Sequence, residues 1–293
     1  MNLRSLSIAV PTKGCGHNGK GCLNACKFCV SSMDDNTYPN LIDTNDIINE
    51  RDYINRINFC LERNFEALIL TGTGEPALNM DFLRKVAYWN KMTIRPFLWI
   101  EIQTSGVTLN EEKLQFLRNN IGVTTISLSL SCIFDSDLNS ETNQTPESLK
   151  FKITDLCAKI KKFGFNLRLS LNMWSCYDSL DPSTIFDRAK DLGANQITFR
   201  MLYTSGNEDL PQNIWIKNNP YRDKTKLDSY ISEKGVQLEQ VSFGAMRYDV
   251  NGISTLLDQD CMSTKSMDDV RYLVLRPNCH LYTKWNSVGS ILF

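Results

Sequence analysis

Six short apolar or alternating runs, separated by helical patterns, are the feature that most limits how this chain can fold. The predicted strands cover residues 5–10, 66–71, 97–104, 124–131, 166–173 and 196–203. The predicted helices cover residues 43–64, 79–91, 110–119, 146–163 and 182–192. Strands that alternate with helices form βαβ units around a parallel sheet. The sequence therefore predicts an α/β fold with a parallel sheet that is closed, or partly closed, into a barrel.

Polar residues alternate with apolar ones along four consecutive predicted strands. In the run 166–173, Asn166, Arg168, Ser170 and Asn172 fall on one face, because successive side chains of a strand point to opposite sides. Helices must cover the apolar face, so the polar rows are expected to point into the barrel. Buried polar groups need partners, which predicts a polar ligand inside. An open antiparallel sheet with one solvated face would show the same alternation, and the intervening helices make it the weaker interpretation.

Three cysteines within eight residues follow the first predicted strand: Cys22, Cys26 and Cys29. Three closely spaced thiolates are too many for one disulfide and indicate a metal. A tetrahedral zinc site needs a fourth ligand, for which the preceding Cys15 and His17 are the candidates. A three-cysteine loop can instead hold a [4Fe–4S] cluster and leave one iron without a protein ligand.

The C-x3-C-x2-C spacing, with Phe28 before the last cysteine, resembles the cluster loop of the radical S-adenosylmethionine (SAM) superfamily. The resemblance covers roughly residues 5–205 and includes a glycine-rich motif after the second strand, residues 72–76. It implies a partial (β/α)6 parallel barrel over residues 1–205. It also implies a [4Fe–4S] cluster, SAM as the second cofactor, and an external one-electron reductant of the flavodoxin or ferredoxin type. The implied reaction is reductive cleavage of SAM to a 5′-deoxyadenosyl radical, which takes a hydrogen atom from a substrate.

The same resemblance assigns expected roles to residues at the strand ends. The methionyl ammonium of SAM is expected at the glycine-rich motif, and its carboxylate at Arg168. The ribose hydroxyls are expected at Ser129 and Asn172, and the adenine between Phe28 and the segment 200–202. The expected SAM-binding residues are Phe28, Gly72, Thr73, Gly74, Glu75, Thr104, Ser105, Ser129, Arg168, Asn172 and Leu202.

Other cysteines have two interpretations each. Cys132 and Cys176 follow the fourth and fifth strands, where a hydrogen-atom donor or a ligand of an auxiliary cluster would stand, although a free cysteine is also an ordinary small apolar residue. Cys261 and Cys279, which precedes His280, are further candidates for a second metal site, but their spacing fits no short ligand pattern. Cys60 and Cys157 lie in predicted helices and are expected in the core.

From residue 206 the βα rhythm stops. Strand-like runs near 236–248, 253–257, 270–276 and 280–285, with turn signals between them, predict a small antiparallel β-rich region over 206–293 that covers the substrate. A polar loop at 215–226 carries aromatic and basic residues that suit nucleic-acid contact, but a solvated loop explains them equally well.

Composition limits the classes of function. The net charge of −1 argues against a dedicated nucleic-acid binder, and no apolar run approaches the roughly 20 residues that span a bilayer. The N-terminal residues lack the features of a secretory signal, so we expect a cytoplasmic enzyme with reduced cysteines. The expected substrate is nucleotide-like or a peptide. A glycyl-radical activating enzyme and a zinc-stabilised nucleic-acid-binding protein are the alternatives.

Overall fold

The computed structural model describes residues 4–12, 21–33, 49–240, 246–258, 272–285 and 288–293. The strands are β1 Arg4–Ala9, β2 Phe65–Thr71, β3 Trp99–Thr104, β4 Thr125–Leu130, β5 Asn166–Met173, β6 Gln196–Met201, β7 Val236–Gln240, β8 Met246–Val250, β9 Ile253–Asp258, β10 Tyr272–Leu275 and β11 Leu281–Tyr282. The helices are α1 Glu50–Glu62, α2 Met80–Met92, α3 Glu111–Phe116, α4 Ser136–Thr142, α5 Ile153–Lys162, α6 Pro182–Asp191, α7 Pro211–Asn218 and α8 Lys224–Lys234.

All described strands belong to one sheet, in the order β11-β10-β1-β2-β3-β4-β5-β6-β9-β8-β7. The strands from β10 through β1–β6 to β9 pair in parallel, and antiparallel pairs lie only outside them among the described strands. Parallel strands carry their carboxyl ends to one edge of the sheet, where α/β proteins bind their ligands. The loops that follow β1 to β6 therefore meet at one mouth.

N-cap side chains explain why five of the helices begin where they do. Asn49, Asn79, Asn110, Asp135 and Asp181 each accept a hydrogen bond from a backbone N–H in the first turn of the helix that follows. Asn and Asp are favoured at this position because their oxygens satisfy N–H groups that have no partner within the helix.

Apolar and polar side chains lie on opposite faces of the strands, as the alternation predicts. Leu167, Leu169 and Leu171 of β5 are fully buried in the hydrophobic core with Leu156 and Ile160 of α5. The intervening polar residues face the other side, and one of them, Ser170, lines the cavity described below. The predicted polar interior is thus present.

The sheet agrees with the predicted α/β fold, and each of the six predicted strands is found within two residues of its expected limits. The described part of the predicted helix 43–64 is α1, and residues 34–48 lie outside the described residues. The helix predicted at 146–163 begins only at Ile153, because a 3₁₀ turn at Glu147–Leu149 and extended backbone precede it.

The C-terminal region differs in two ways from its prediction. The expected loop at 215–226 is wrong, since residues 211–218 and 224–234 form α7 and α8. The expected antiparallel pairing is present, but β9 also pairs in parallel with β6, and β10 with β1. Strand partners are chosen by tertiary packing, which local patterns do not encode. The predicted domain boundary after residue 205 falls between β6 and α7 and stays a prediction.

No described helix has the length and apolar character needed to cross a membrane. The longest, α1 and α2, have 13 residues each.

Candidate active site

The cysteine loop is anchored to two parts of the mouth. The backbone N–H groups of Ala25 and Lys27 donate to the carbonyls of Asn143 and Thr142 at the end of α4, each over 3.1 Å. On the other side, the N–H of Glu75 donates to the carbonyl of Gly21 over 2.8 Å. Main-chain bonds of this kind fix the path of a loop independently of its side chains.

The three thiols of this loop are partly buried and close enough for the charge of one to affect the pKa of another. Burial raises the pKa of Cys22 to about 11 and raises that of Cys26 further, and the negative charges of the neighbouring thiols and of Glu75 add to both shifts. Thiolates under such conditions need a cation to compensate them, and a metal bound to a thiol deprotonates it. The donor set therefore fits a bound metal centre.

The number and type of the donors suit an iron–sulfur cluster. Three thiols can bind three irons of a [4Fe–4S] cluster, whereas a tetrahedral zinc needs a fourth ligand. Among the described residues, no three His, Cys, Asp or Glu side chains are grouped as the ligands of one ion. The candidate zinc ligands Cys15 and His17 lie outside the described residues.

Gly74 is where the glycine-rich motif touches the cysteine loop. A β-carbon at this position would overlap the backbone of Gly21 and the hydroxyl of Thr12. Gly21 itself has φ of +77°, in the left-handed region that favours glycine. The close approach of two glycine backbones lets β2 hold the start of the loop. Thr73, in contrast, is exposed at the tip of the turn.

Glu75 is buried and connects the motif to the end of β3. Its carboxylate accepts from the Thr104 hydroxyl over 2.7 Å, from the N–H and hydroxyl of Ser105 over 2.8 and 2.6 Å, and from the N–H of Ala77 over 3.2 Å. An ionised carboxylate offers about four lone-pair sites, so these contacts use all of them. Glu75, Thr104 and Ser105, which were each expected to bind SAM, therefore lie together and bind one another.

A polar cavity of about 190 Å³ lies beside the cysteine loop. Its walls come from the loop, the glycine-rich motif and the inner faces of β2 to β6. The lining residues are Cys22, Asn24, Cys26, Thr71, Gly74, Glu75, Pro76, Gln103, Thr104, Ser105, Ser127, Ser129, Ser170 and Arg200. Hydroxyl, amide and guanidinium groups on strand ends give it the character of a site for a polar, charged molecule.

Two arginines on the inner face have different surroundings. The Arg168 guanidinium forms an ion pair with the buried Glu101 at 2.8 Å and also donates to Gln196, and it does not line the cavity. Arg200, which sequence reasoning placed only beside the adenine, does line it. The Arg200 Nε is buried and has no hydrogen-bond partner among the described residues.

The remaining expected SAM-binding residues lie around the same mouth. Asn172 donates to the hydroxyl of Ser129 over 3.1 Å, so these two side chains meet between β4 and β5. Phe28 is buried in a small apolar cluster with Met33 and Ile216, and Leu202 packs against it.

Helix α7 covers the cysteine loop through aromatic contacts that sequence reasoning did not find. The ring of Trp215 lies 5.8 Å from that of Phe28 and 5.3 Å from that of Trp174, which follows β5. Both separations are typical of favourable ring packing. The spacing of apolar residues over 211–218 was the signal that could have predicted α7, but it was too weak to be recognised as a helix.

The basic residues of 215–226 bind groups of the protein itself. Lys217 pairs with Glu208, Arg222 pairs with Asp178, and Lys226 donates to the carbonyl of Leu180. The contacts of Arg222 and Lys226 attach the start of α8 to the loop after β5, whereas Lys217 pairs with the segment that precedes α7.

The other cysteines lie outside the cysteine loop. Cys132 and Cys176 follow the ends of β4 and β5, the Cys176 thiol donates to the carbonyl of Ser131 over 3.4 Å, and neither cysteine lines the cavity. Cys60 and Cys157 are fully buried in the core, as expected. Cys279 is buried beside α1, and Cys261 lies outside the described residues.

The sequence model of the radical SAM superfamily matches residues 19–174, more than half of the chain. This range contains the cysteine loop, the glycine-rich motif and strands β2 to β5. No curated protein sequence matches the chain.

Solved structures share the fold at low sequence identity. Native anSMEcpe with bound AdoMet and Kp18Cys peptide is 12% identical, with a TM-score of 0.62 over 98% of this chain and 76% of that one. Streptococcus suis SuiB bound to S-adenosylmethionine is 12% identical, with a TM-score of 0.52 over 96% and 58%. Escherichia coli coproporphyrinogen III oxidase (HemN), a radical SAM enzyme, is 15% identical, with a TM-score of 0.50 over 80% and 54%. The chain spans about half to three quarters of the length of these structures.

Proposed function

The chain belongs to the radical SAM superfamily, and from that premise we propose that it is an enzyme that cleaves SAM reductively at a [4Fe–4S] cluster held by Cys22, Cys26 and Cys29. When bound, the cluster supplies the electron that converts SAM into methionine and a 5′-deoxyadenosyl radical, and this radical takes a hydrogen atom from the substrate. The observation that carries the proposal is the partly buried three-thiol loop at one wall of a cavity lined by hydroxyl, amide and guanidinium side chains.

We assign the methionyl carboxylate of SAM to Arg200 instead of Arg168. A carboxylate and a guanidinium form a strong charge-assisted pair. Arg200 lines a cavity that two cluster cysteines also line, and its buried Nε has no hydrogen-bond partner among the described residues. Arg168 already has Glu101 and Gln196 as partners, so the carboxylate of SAM would have to compete with the buried carboxylate of Glu101.

The methionyl ammonium is assigned to the glycine-rich motif, residues 72–75. Backbone carbonyls of Gly72, Thr73 and Gly74 are the acceptors, because every lone-pair site of Glu75 is in use within the protein. Glu75 attracts the ammonium through its charge and keeps the β2 and β3 ends together. The ribose is assigned to the Ser129–Asn172 pair, and the adenine to the apolar surface of Phe28 and Leu202.

The radical must be shielded from water and oxygen. Helix α7 supplies this cover at the cysteine loop, through Trp215 and Ile216 against Phe28. Members of the family need an electron donor, and we propose a flavodoxin or ferredoxin. For the substrate we retain the two classes expected from the sequence, a nucleotide-like molecule or a peptide.

Anaerobic reconstitution with iron and sulfide tests the proposal. We expect a brown protein with about four irons per chain that forms 5′-deoxyadenosine from SAM under dithionite. Cys26→Ala removes a cluster ligand and should abolish both properties. Cys60→Ala, a matched removal of a buried thiol in α1, should retain both. A colourless protein with one zinc would instead support the zinc-stabilised binding protein.

A further inference from the structure

One amide side chain lies between the cysteines of the loop. Asn24 stands between Cys22 and Cys26 in the sequence and is only 8% exposed. It lines the cavity together with these two cysteines. Asn24 is therefore buried at the wall where the cluster would be held.

The Asn24 amide is held from its oxygen side. The Thr145 hydroxyl donates to Asn24 Oδ1 over 3.0 Å. Thr145 is itself fixed, because its N–H donates to the carbonyl of Ser140 in α4 over 2.8 Å. The backbone beside Asn24 is fixed as well, since the N–H of Ala25 donates to the carbonyl of Asn143 over 3.1 Å. The orientation of the amide is thus set by the protein before a ligand binds.

The NH₂ group of the same amide is left over. An asparagine side chain carries two N–H donors on its nitrogen. Asn24 Nδ2 has no hydrogen-bond partner among the described residues, and the side chain lines the cavity. Buried polar groups of proteins are nearly always paired, which indicates that the partner of this NH₂ group is a molecule bound in the cavity.

We propose that the Asn24 NH₂ group donates a hydrogen bond to a sulfur of the cluster held by Cys22, Cys26 and Cys29, and that this bond raises the reduction potential of the cluster. The inference rests on the proposed function, because it requires the cluster.

The physical reason is the charge that reduction adds. Reduction by the flavodoxin- or ferredoxin-type donor transfers one electron to the cluster and neither forms nor breaks a bond. The added negative charge is shared by the thiolate and sulfide sulfurs, and a hydrogen bond to one of them stabilises the reduced state more than the oxidised one. The carboxylate of Glu75, on the same cavity, has the opposite influence through its negative charge.

The carboxylate of SAM is the second acceptor that this cavity receives. It is assigned to Arg200, which belongs to β6. Asn24, in contrast, belongs to the cysteine loop and is two residues from Cys22 and two from Cys26. The position of the donor in the chain therefore favours a sulfur as its acceptor.

A redox titration of the reconstituted protein without SAM, followed by electron paramagnetic resonance, tests the proposal. Asn24→Leu removes the donor with little change in side-chain size. We expect the equilibrium constant for reduction to fall about tenfold, the lower end of what a hydrogen bond to a charged group contributes, which equals about 59 mV for one electron. Asn24→Asp also removes the donor, keeps an oxygen for the Thr145 hydroxyl and adds a negative charge, so the constant should fall at least as far.

Two substitutions of Thr145 test the orientation of the amide. Thr145→Ser keeps the hydroxyl that holds Asn24 Oδ1 and should titrate at the wild-type potential. Thr145→Val removes this hydroxyl and lets the amide rotate, so the constant should fall by about two- to fivefold, less than when the donor is lost. A wild-type potential in Thr145→Val would overturn the claim that the contact with Thr145 directs the donor to the cluster.

SAM binding, measured by equilibrium dialysis, separates the two acceptors. If Asn24→Leu titrates at the wild-type potential but binds SAM about tenfold more weakly, the donor serves SAM and the proposal is overturned. An unchanged potential in both Asn24 variants, each loaded with about four irons, would also overturn it and leave the proposed function intact. If neither Asn24 variant assembles a cluster, Thr145→Val decides. A wild type that takes up no cluster would overturn the proposed function, and this inference with it.

Discussion

Replacing Glu75 by glutamine tests whether this carboxylate is the structural link between the glycine-rich motif and β3. The side chain accepts four hydrogen bonds, two on each oxygen, from Ala77, Thr104 and Ser105. An amide has one oxygen and one NH₂ group. If the oxygen stays at Ser105, the NH₂ group faces the N–H of Ala77, and two donors then oppose each other in a buried place.

The expected loss follows from these contacts. A buried donor without a partner costs about 1–3 kcal/mol, and two bonds that lose their charged acceptor weaken by about 1 kcal/mol each. Relief from burying a charge offsets part of this sum. We therefore expect Glu75→Gln to lower the free energy of unfolding by about 3 kcal/mol.

Equilibrium urea unfolding under anaerobic conditions measures this loss. The control is Glu62→Gln, whose side chain is 60% exposed and pairs with Arg63 at 3.6 Å, and it should change stability by less than about 0.5 kcal/mol. A loss below about 1 kcal/mol for Glu75→Gln would refute the reasoning, since the four bonds could not then be holding the two strand ends.

Three further changes separate the other roles. Arg200→Gln should raise the KM for SAM about 10- to 100-fold, the equivalent of one charge-assisted bond, with little loss of stability; an unchanged KM would refute the assignment. Arg168→Gln should lower the free energy of unfolding by about 3–5 kcal/mol and leave the KM for SAM nearly unchanged, because it removes the ion-pair partner of the buried Glu101. Urea unfolding measures the first effect and SAM kinetics the second. Trp215→Ala uncovers Phe28 and should speed the loss of visible cluster absorbance in air several-fold, and bleaching at the wild-type rate would show that α7 is not a cover.

Local chemistry made the cysteine loop recognisable from the sequence as the candidate cluster site. The three cysteines and the glycine-rich motif lie within short segments, and their residue types are required by what they do. The six βα units were predictable for a similar reason, since each strand and helix carries its own periodicity. The fold and the cluster loop therefore needed no knowledge of tertiary contacts.

The choice between Arg168 and Arg200 did need those contacts. Both arginines alternate onto the inner face, and only the folded sheet shows that Arg168, which lies in register with Ser127 and Gln103, reaches Glu101 on β3 with its side chain. Glu101, another polar residue on that face, was the signal that Arg168 had a partner.

Helices α7 and α8 were missed because their apolar spacing is sparse. In α8 only Leu227 and Ile231 are buried, and in α7 only Ile216 and Asn213 are. A polar segment of this kind resembles a loop until the surface that it covers is known.

Electron paramagnetic resonance of the reduced, reconstituted protein, recorded before and after addition of SAM, tests the central claim most directly. If Cys22, Cys26 and Cys29 leave one iron without a protein ligand, the cluster signal should change when SAM binds, and 5′-deoxyadenosine should form. A cluster signal that SAM does not alter would mean that a protein side chain occupies the fourth iron, and it would contradict the proposed reaction.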